Sequence, residues 1–331
     1  MIFSRRLFLG LTVAACAPFA LGAAAAKRTA PTRPDEKLAN ATAYKGAIVV
    51  DAATGAVLFE DRADSIAPPA SVTKLMTFLV VHDQLARGDL TLQTPVQVTA
   101  EASTTGGSQV YLAEKEVFPV EELLYALMIA SANDAATALA IHVAGSKAAF
   151  VERMNTRARE LGMAHTTFRS PHGLPPKGRR IEDSDLTTAR DLAKLSAHLL
   201  KTTDIVKYTA VERREFRPGP RVQKMDNHNN LLGKIAGVDG LKTGFTQGAG
   251  FCLAATAQRN GRRVIAVTMG SPDSKTRDIK IAELLERGFA TLPPPPASDS
   301  PMTPAPVMTP VKAPTPAPAA EAGIKFSLPK K

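Results

Sequence analysis

The order of strand-like and helix-like segments is the feature that most restricts what this 331-residue chain can fold into. Residues 47–50 and 57–59 are two short apolar runs separated by a glycine-containing turn, and they predict a hairpin. Residues 250–257 and 263–269 predict a second hairpin, because they flank Asn260-Gly261, a dipeptide typical of tight two-residue turns. Helical patterns occupy most of the chain between the hairpins. This order favours an α+β fold, with one antiparallel sheet built from both chain ends and a mostly helical insertion beside it.

Apolar spacing and capping signals locate the helices. The first predicted helix follows Pro68-Pro69, and another opens at Thr188, where Asp191 three residues later resembles a capping box. A further strand is predicted over residues 238–244. The predicted helices span residues 71–85, 121–129, 146–161, 188–200 and 279–288.

The first 26 residues have the pattern of an export signal. Arg5-Arg6 precede an apolar stretch, residues 7–21, and a small-residue region follows over residues 23–26. The paired arginines also occur in twin-arginine signals, and Cys16 lies in a sequence that resembles a lipoprotein cleavage box, so the export route stays open. We expect the mature chain in the periplasm or cell wall, with peripheral membrane association as a further option.

Composition divides the rest of the chain into three parts. Residues 27–44 are polar, contain two prolines and read as a linker. Residues 293–331 hold 12 of the 25 prolines, and such a segment cannot form a core. We therefore expect a folded domain over residues 45–290 and a flexible Pro-rich tail over residues 291–331.

Charge and motif content argue against several function classes. The formal net charge is +10, but no nucleic-acid motif accompanies it, so we expect a solvated basic surface and no nucleic-acid partner. The six histidines show no ligand spacing, and the sequence predicts no metal and no cofactor. Cys252 lies in an apolar strand and is expected to be a buried, inert thiol.

Ser71 and Lys74 pair a nucleophile with a base. They are three residues apart on a predicted helix and so share a face. A serine hydroxyl is a weak nucleophile unless a base lies beside it, and a neutral Lys74 amine can serve. Burial would disfavour the charged form, and so would the amine of Lys242 if the fold brings it close. The alternative is an ordinary helix start, with Ser71 as its cap and Lys74 in solvent.

Two further polar motifs follow. Ser131-Ala132-Asn133 comes 60 residues after Ser71, and Lys242-Thr243-Gly244 begins 111 residues later still. Serine and asparagine are ordinary residues for a turn that ends a helix, so the first motif alone indicates no chemistry. In the second, the Lys242 amine and the Thr243 hydroxyl can bind a carboxylate, while Gly244 lets a substrate backbone approach closely.

Together these S-x-x-K, S-x-N and K-T-G motifs resemble those of penicillin-recognising serine enzymes. Over about residues 45–290 the sequence closely resembles the low-molecular-mass penicillin-binding proteins, the serine-type D-alanyl-D-alanine carboxypeptidases of peptidase family S11. This resemblance implies a β-lactamase/transpeptidase-like fold. The segments that carry the likeness are Pro68–Thr77, Met128–Ala136, Pro171–Leu174, Thr188–Asp191, Asn227–Leu232 and Gly237–Gly244.

The resemblance also implies roles for individual residues. Ser71 would be the acyl-ester nucleophile and Lys74 its proton acceptor. Ser131 would relay a proton between Lys74 and the leaving amine, and the Asn133 amide would hold the substrate or Lys74. The backbone N–H groups of Ser71 and Phe245 would form the oxyanion hole.

Arg277 adds to the family likeness, whereas Phe245 departs from it. Arg277 lies eight residues after Met269, where close relatives carry an arginine that grips the terminal carboxylate, although it could equally be a surface residue. Some relatives have histidine directly after K-T-G, whereas this chain has Phe245, so any proton role there is lost. Many relatives continue into a β-rich second domain and an amphipathic anchor; the Pro-rich sequence after Ala290 leads us to expect neither.

The resemblance implies an exported enzyme that removes the terminal D-alanine from peptidoglycan stem pentapeptides and is inhibited by β-lactams. A D,D-endopeptidase that cuts peptidoglycan cross-links would share all three motifs. A β-lactamase is disfavoured because no E-x-x-L-N lies between the second and third motifs. A non-catalytic wall-binding protein is disfavoured by the intact Ser71, Lys74 and Lys242.

Overall fold

The computed structural model of the protein describes residues 43–176, 180–217 and 219–292. The predicted export signal, nearly all of the predicted linker and the predicted Pro-rich segment from residue 293 lie outside the described residues. Across the three described ranges, no helix has the length and apolar character needed to cross a membrane.

A five-stranded antiparallel sheet forms one layer of the domain, in the strand order β2-β1-β9-β8-β7. Two small two-stranded sheets, β3-β4 and β5-β6, lie outside it. The strands are β1 (Gly46–Asp51), β2 (Val57–Asp61), β3 (Pro95–Gln97), β4 (Val117–Pro119), β5 (Arg213–Phe216), β6 (Gln223–Asp226), β7 (Val238–Thr246), β8 (Gly250–Arg259) and β9 (Arg262–Ser271).

Both predicted hairpins are present, and they join into one sheet. β1 pairs with β9, with Ala47 opposite Thr268, so the two ends of the domain meet in the middle of the sheet. Asn260 and Gly261 have φ angles of 49° and 73°, as a tight turn between β8 and β9 requires. The α+β prediction is confirmed.

The helices occupy the segment between β2 and β7, apart from the last one. A 3₁₀ turn, Ala70–Thr73, leads directly into the first α-helix, and a second one spans Ile181–Asp183. The α-helices are α1 (Lys74–Arg87), α2 (Ala100–Ser103), α3 (Val120–Met128), α4 (Asn133–Ala144), α5 (Lys147–Glu160), α6 (Ala189–Thr202), α7 (Val206–Thr209) and α8 (Ser274–Thr291).

Three predicted helices agree with α3, α5 and α6 to within two residues. Thr188 caps α6 as predicted, because its hydroxyl accepts the N–H of Asp191 at 3.1 Å. The last helix begins five residues earlier than predicted, since Asp273 caps it by accepting the N–H of Thr276 at 2.8 Å. Ser71 lies in the 3₁₀ turn, so the α-helix itself begins only at Lys74.

The sequence interpretation missed α4 and took its start for a turn that ends a helix. Every residue from 133 to 140 is buried, because α4 is surrounded by α1, α2, α3 and α5. A helix buried on all sides has no polar face, and its sequence therefore lacks the amphipathic period by which helices are recognised.

The sheet separates two apolar cores. On one face, Val49, Leu253 and Val264 pack with Ile281 and Leu285 of α8. On the other face, alternate strand residues such as Ile48, Ala254 and Ile265 pack against the helical layer, in which α6 crosses β1 and β9. Burying each such Leu, Ile or Val side chain contributes about 1.5–3 kcal/mol to the stability of the fold. Packing on both faces therefore stabilises the contact between the sheet and the helices that carry the site.

Candidate active site

Six of the nine predicted site residues line one pocket of about 400 Å³, and the other three, Lys74, Asn133 and Lys242, are buried next to it in the same motifs. It lies where β7, an edge strand of the sheet, meets the 3₁₀ turn before α1. Its lining comprises Ser71, Ser108, Ser131, His228, Asn230, Thr243, Gly244, Phe245, Phe251, Ser274 and Arg277. Residues from all three motifs, together with Arg277, therefore face the same space.

Ser71 and Lys74 are in hydrogen-bonding contact. The Lys74 Nζ lies 3.0 Å from the Ser71 Oγ, because the 3₁₀ turn and the first turn of α1 present both side chains on one side. Lys74 is fully buried, whereas Ser71 is partly exposed in the pocket. The alternative of a solvated helix lysine is wrong.

Two further acceptors surround the Lys74 amine: Asn133 Oδ1 at 2.6 Å and the backbone oxygen of His172 at 2.8 Å. A neutral amine has two N–H donors and one lone pair. The donors match Asn133 and His172, which leaves the lone pair facing the Ser71 hydroxyl.

Burial lowers the pKa of Lys74 well below its usual value, and the nearby Lys242 lowers it further. Asp185 and Asp134 oppose this shift without cancelling it. The neutral, proton-accepting form of Lys74 is therefore favoured over that of a solvated lysine.

The second motif lies in the connection between α3 and α4. Ser131 is 2% exposed, lines the pocket and has a left-handed φ of 57°. Asn133 is the first residue of α4, and its Nδ2 donates to the Gly106 oxygen at 2.8 Å. That contact turns the amide oxygen toward Lys74.

The third motif lies on β7. Lys242 is buried, and its Nζ donates to the backbone oxygen of Thr243 at 3.1 Å. Burial, aided by the positive charge of Arg277, lowers the pKa of Lys242 to about 7. A carboxylate entering the pocket would restore the charged form of this amine.

Gly244 has a structural role that the sequence interpretation did not anticipate. A Cβ at this position would lie 2.5 Å from the Pro69 oxygen and 3.0 Å from the Ser71 nitrogen. The close approach is thus between β7 and the turn that carries the nucleophile. Only glycine allows the strand to lie this near to Ser71.

Phe245 lies at the mouth of the pocket. It is 53% exposed, and its ring stacks on that of Phe251 with the centroids 4.2 Å apart. Its backbone N–H as part of an oxyanion hole stays a prediction.

Arg277 is 4% exposed and lies in the first turns of α8, so the surface alternative for this residue is wrong. Its guanidinium donates to Asp278 Oδ1 at 2.7 and 2.9 Å. The side chain also lines the pocket, where it adds positive charge beside Lys242. Its role as a carboxylate ligand stays a prediction.

Sequence reasoning missed the contribution of His172. Its backbone oxygen contacts Lys74, and a main-chain acceptor leaves no signal in residue type. Its Nδ1 accepts the N–H of Leu174 at 3.2 Å, and burial together with Lys74 lowers the pKa of His172 to about 3. Ser108 and His228 also line the pocket, and only His228 had a signal, since it lies in a segment that carries the family likeness.

Within the described residues, no cluster of three or more His, Cys, Asp or Glu side chains is placed to hold a metal ion. Cys252 is fully buried, and burial raises the pKa of its thiol to about 11, so it is a poor nucleophile.

The site is not the largest cavity of the domain. A cavity of about 890 Å³ lies beside α5 and residues 167–176, and one of about 770 Å³ lies between α1 and α5. Charged residues of the latter form exposed and half-exposed ion pairs, such as Arg157 with Asp83 and Glu160. The smaller pocket instead lies beside two buried amines with lowered pKa values, those of Lys74, which contacts the lining residue Ser71, and of Lys242. Perturbed titratable groups, more than volume, mark a reactive site.

The family model for D-alanyl-D-alanine carboxypeptidases (peptidase family S11) matches residues 30–273. The D-alanyl-D-alanine carboxypeptidase DacF of Bacillus subtilis is 34% identical over 285 residues, which cover 86% of this chain and 70% of that protein. The chain spans 60% and 61% of the length of two further curated carboxypeptidases of the same description.

Solved structures agree. The D-alanyl-D-alanine carboxypeptidase DacD of Francisella tularensis superimposes with a TM-score of 0.72 at 27% identity, covering 80% of this chain and 72% of that one. Penicillin-binding protein D2 of Listeria monocytogenes, in its ampicillin-bound form, gives a TM-score of 0.67 at 34% identity, covering 75% of this chain and 97% of that one. The sheet and helical layer are therefore those of penicillin-binding proteins.

Proposed function

Because the chain belongs to the D-alanyl-D-alanine carboxypeptidase family, we propose that it removes the terminal D-alanine from peptidoglycan stem pentapeptides through an acyl-enzyme on Ser71. The contact of 3.0 Å between the Ser71 hydroxyl and the fully buried Lys74 amine carries this proposal. A hydroxyl beside a neutral amine is an activated nucleophile.

In the acylation step, Ser71 Oγ bonds to the carbonyl carbon of the penultimate D-alanine while its proton passes to Lys74 Nζ. The carbonyl oxygen becomes an oxyanion that accepts hydrogen bonds from the N–H groups of Ser71 and Phe245. The C–N bond then breaks, and the leaving nitrogen takes the proton from Lys74 through the Ser131 hydroxyl. Free D-alanine leaves, and Lys74 is neutral again.

Hydrolysis of the ester follows the same path in reverse. Lys74 accepts a proton from water as the water oxygen bonds to the ester carbon. The C–O bond to Ser71 breaks, and the proton passes to Oγ. Asn133 and the backbone oxygen of His172 hold the amine throughout, since both already accept from it in the free enzyme.

The terminal carboxylate of the substrate would lie against Lys242, Thr243 and Arg277. Thr243 and Arg277 line the pocket, and the buried Lys242 amine is electrostatically coupled to Arg277 behind that lining. Charge-assisted hydrogen bonds from such cationic groups to a carboxylate are strong. A β-lactam carries a carboxylate beside a reactive carbonyl and would acylate Ser71 in the same orientation. The ampicillin-bound state of the Listeria relative supports this extension.

We further propose that the protein acts in the periplasm or cell wall, after removal of residues 1–26. The apolar stretch and the small-residue region of that segment support export. Its substrate lies outside the cytoplasm, and a basic chain is attracted to an anionic wall or membrane surface.

The first experiment exposes the full chain to benzylpenicillin and maps the adduct by mass spectrometry. We expect one adduct on Ser71 and none in Ser71→Ala. Ser196→Ala is the matched control, because Ser196 is a buried serine within α6 whose hydroxyl donates to Leu192 at 2.7 Å. An adduct that persists in Ser71→Ala would refute the assignment.

The second experiment separates the two peptidase activities that share these motifs. A D-Ala-D-Ala-ended pentapeptide and purified cell wall are each incubated with the protein. Free D-alanine identifies a carboxypeptidase, whereas conversion of cross-linked dimers to monomers identifies an endopeptidase.

A further inference from the structure

Asp185 is a buried carboxylate outside the three motifs, and it lies just before α6. It is 3% exposed, and four donors occupy its two oxygens. Oδ1 accepts the N–H groups of Arg169 and Ser170 at 2.6 and 2.9 Å, and Oδ2 accepts the hydroxyls of Thr73 and Ser170 at 2.9 and 3.0 Å. Burial raises the pKa of Asp185, but these donors oppose that shift and favour the anion.

Two hydrogen-bond partners of Asp185 connect it to Lys74, one along the chain and one through a loop. Thr73 immediately precedes Lys74 in the chain. Ser170 begins a loop, residues 170–173, in which its Oγ accepts the N–H of Gly173 at 2.8 Å. Between these two residues lies His172, whose backbone oxygen accepts from the Lys74 amine at 2.8 Å.

The same loop is joined to α1 by a second contact. The Thr77 hydroxyl donates to the Pro171 oxygen at 2.6 Å. Gly173 approaches the nucleophile's turn so closely that a Cβ there would lie 1.9 Å from the Ala70 oxygen. A small movement of this loop would therefore displace both an acceptor of the amine and the turn that carries Ser71.

We propose that Asp185 is a positioning residue for the reaction: through Thr73 and the 170–173 loop, its carboxylate holds the Lys74 amine against the Ser71 hydroxyl. This inference rests on the proposed function of Ser71 and Lys74. Asp185 touches neither residue directly in the hydrogen bonds described above. A displacement of about 1 Å at such a pair can lower a rate by roughly 100-fold.

The negative charge of Asp185 adds an effect that distinguishes positioning from simple support of the fold. Lys74 is faced by Lys242 from β7, by Asp134 from α4, and by His172 and His228 from two loops. Burial and nearby cations lower the pKa of His172 to about 3 and that of His228 to about 4, so both are neutral near pH 7. Asp185 and Asp134 are then the anions that keep the pKa of Lys74 from falling further.

The test measures the second-order rate of Ser71 acylation by a fluorescent penicillin as a function of pH. Asp185→Asn keeps the shape and removes the charge. We expect its rate to fall by roughly tenfold or more, because the amide would present an N–H₂ to the hydroxyl donors of Thr73 and Ser170. Since an anion near Lys74 is lost, the amine stays neutral to lower pH, and the acid limb of the profile should move to lower pH.

A pair of variants at Thr73 separates the contact from the charge. Thr73→Val removes the hydroxyl but leaves Asp185 ionised, so the rate should fall while the acid limb stays in place. Thr73→Ser keeps the hydroxyl and should restore the rate. This pair also decides the matter if Asp185→Asn does not fold.

Asp191→Asn is the matched control. Asp191 is a buried carboxylate in α6 whose Oδ2 accepts the His165 N–H and the Thr166 hydroxyl, each at 2.9 Å. Its loss should lower the melting temperature without moving the acid limb. The inference is overturned if Thr73→Val acylates at the wild-type rate, or if a folded Asp185→Asn keeps the wild-type acid limb. A wild-type protein that is not acylated at Ser71 would refute the proposed function, and the inference with it.

Discussion

The two sides of the active-site pocket are built by different physical means. On the sheet side, β7 is hydrogen-bonded to β8 from Val238 to Thr246, and the backbone ladder alone fixes where each side chain points. On the helical side, Ser71 lies in the 3₁₀ turn before α1, and Ser131 lies in the connection between α3 and α4. Ala70, just before Ser71, and Ser131 itself have left-handed φ angles of 49° and 57°.

The helical side is therefore held by buried side chains rather than by a ladder. Asn133 ties Lys74 to the 106–108 loop, and Asp185 ties Thr73, the residue before Lys74, to the 170–173 loop. This difference implies opposite sensitivities. The strand should keep its position when a polar side chain is lost, but not when a Cβ is added to a closely packed glycine. The helical side should be destabilised most by the loss of a buried polar group.

Gly244→Ala should have the largest effect, because the new Cβ would meet backbone atoms of Pro69 and Ser71 that cannot rotate away. We expect the rate of penicillin acylation to fall by roughly 100-fold or more, as β7 is forced from the nucleophile's turn. Gly248→Ala is the control, since a Cβ there meets nothing within 4 Å. Equal rates in the two variants would contradict the tight packing of strand and turn.

Asn133→Ala tests the helical side. It removes an acceptor of the Lys74 amine and leaves the Gly106 oxygen unpaired, so we expect a loss of about 1–3 kcal/mol in the free energy of unfolding and a rate lowered by roughly tenfold to 100-fold. Denaturant titration and acylation kinetics measure the two effects. In Asn133→Asp the added anion should raise the pKa of Lys74 and move the acid limb to higher pH. An unmoved limb would mean that this side chain does not face the amine.

Lys242 gives the sheet side a pH dependence of its own. Its amine is positive below a pKa of about 7 and neutral above it, so attraction for a carboxylate weakens as pH rises through that value. Binding of a D-Ala-D-Ala dipeptide to Ser71→Ala, measured by calorimetry, should weaken by about tenfold over this rise. The double variant Ser71→Ala/Lys242→Met should bind the dipeptide weakly at every pH. If its binding still weakened as pH rises through about 7, the pH dependence would belong to another group.

Phe245→Ala should have the smallest effect. The ring is half exposed, and losing its stack on Phe251 removes about 0.5–1.5 kcal/mol from the free energy of unfolding. The backbone N–H at this position remains, so acylation should change by no more than roughly threefold. A collapse of the acylation rate would show that the ring itself positions the substrate.

Much of the sheet side could be predicted from sequence. Apolar runs and the Asn260-Gly261 turn located β8 and β9, and the K-T-G motif marked the strand beside them. Those signals are local, because an apolar run and a turn's backbone angles are properties of neighbouring residues. The pairing of β1 with β9 was favoured by the order of the segments, with strands at both ends and helices between them, and it was implied by the family likeness.

The helical side was only partly predictable. The motifs identified Ser71, Lys74, Ser131 and Asn133, but α4 was missed because its first two turns are buried on all sides and have no solvent-facing polar side. Contacts made through backbone atoms, such as the His172 oxygen on Lys74, depend on tertiary structure and not on residue type. The buried partners of Asp185 lie as far as 112 residues away and leave no periodic trace.

The central pairing of β1 with β9 also bears on how the domain is made. Ala47 lies opposite Thr268, so the first hairpin pairs with a strand that is synthesised more than 200 residues later. Contacts between such distant parts of a chain close slowly, and the sheet cannot be completed until β9 has emerged. Because β8 and β7 follow β9 in the strand order, the strand that carries Lys242 joins the first hairpin in one sheet only once β9 is in place.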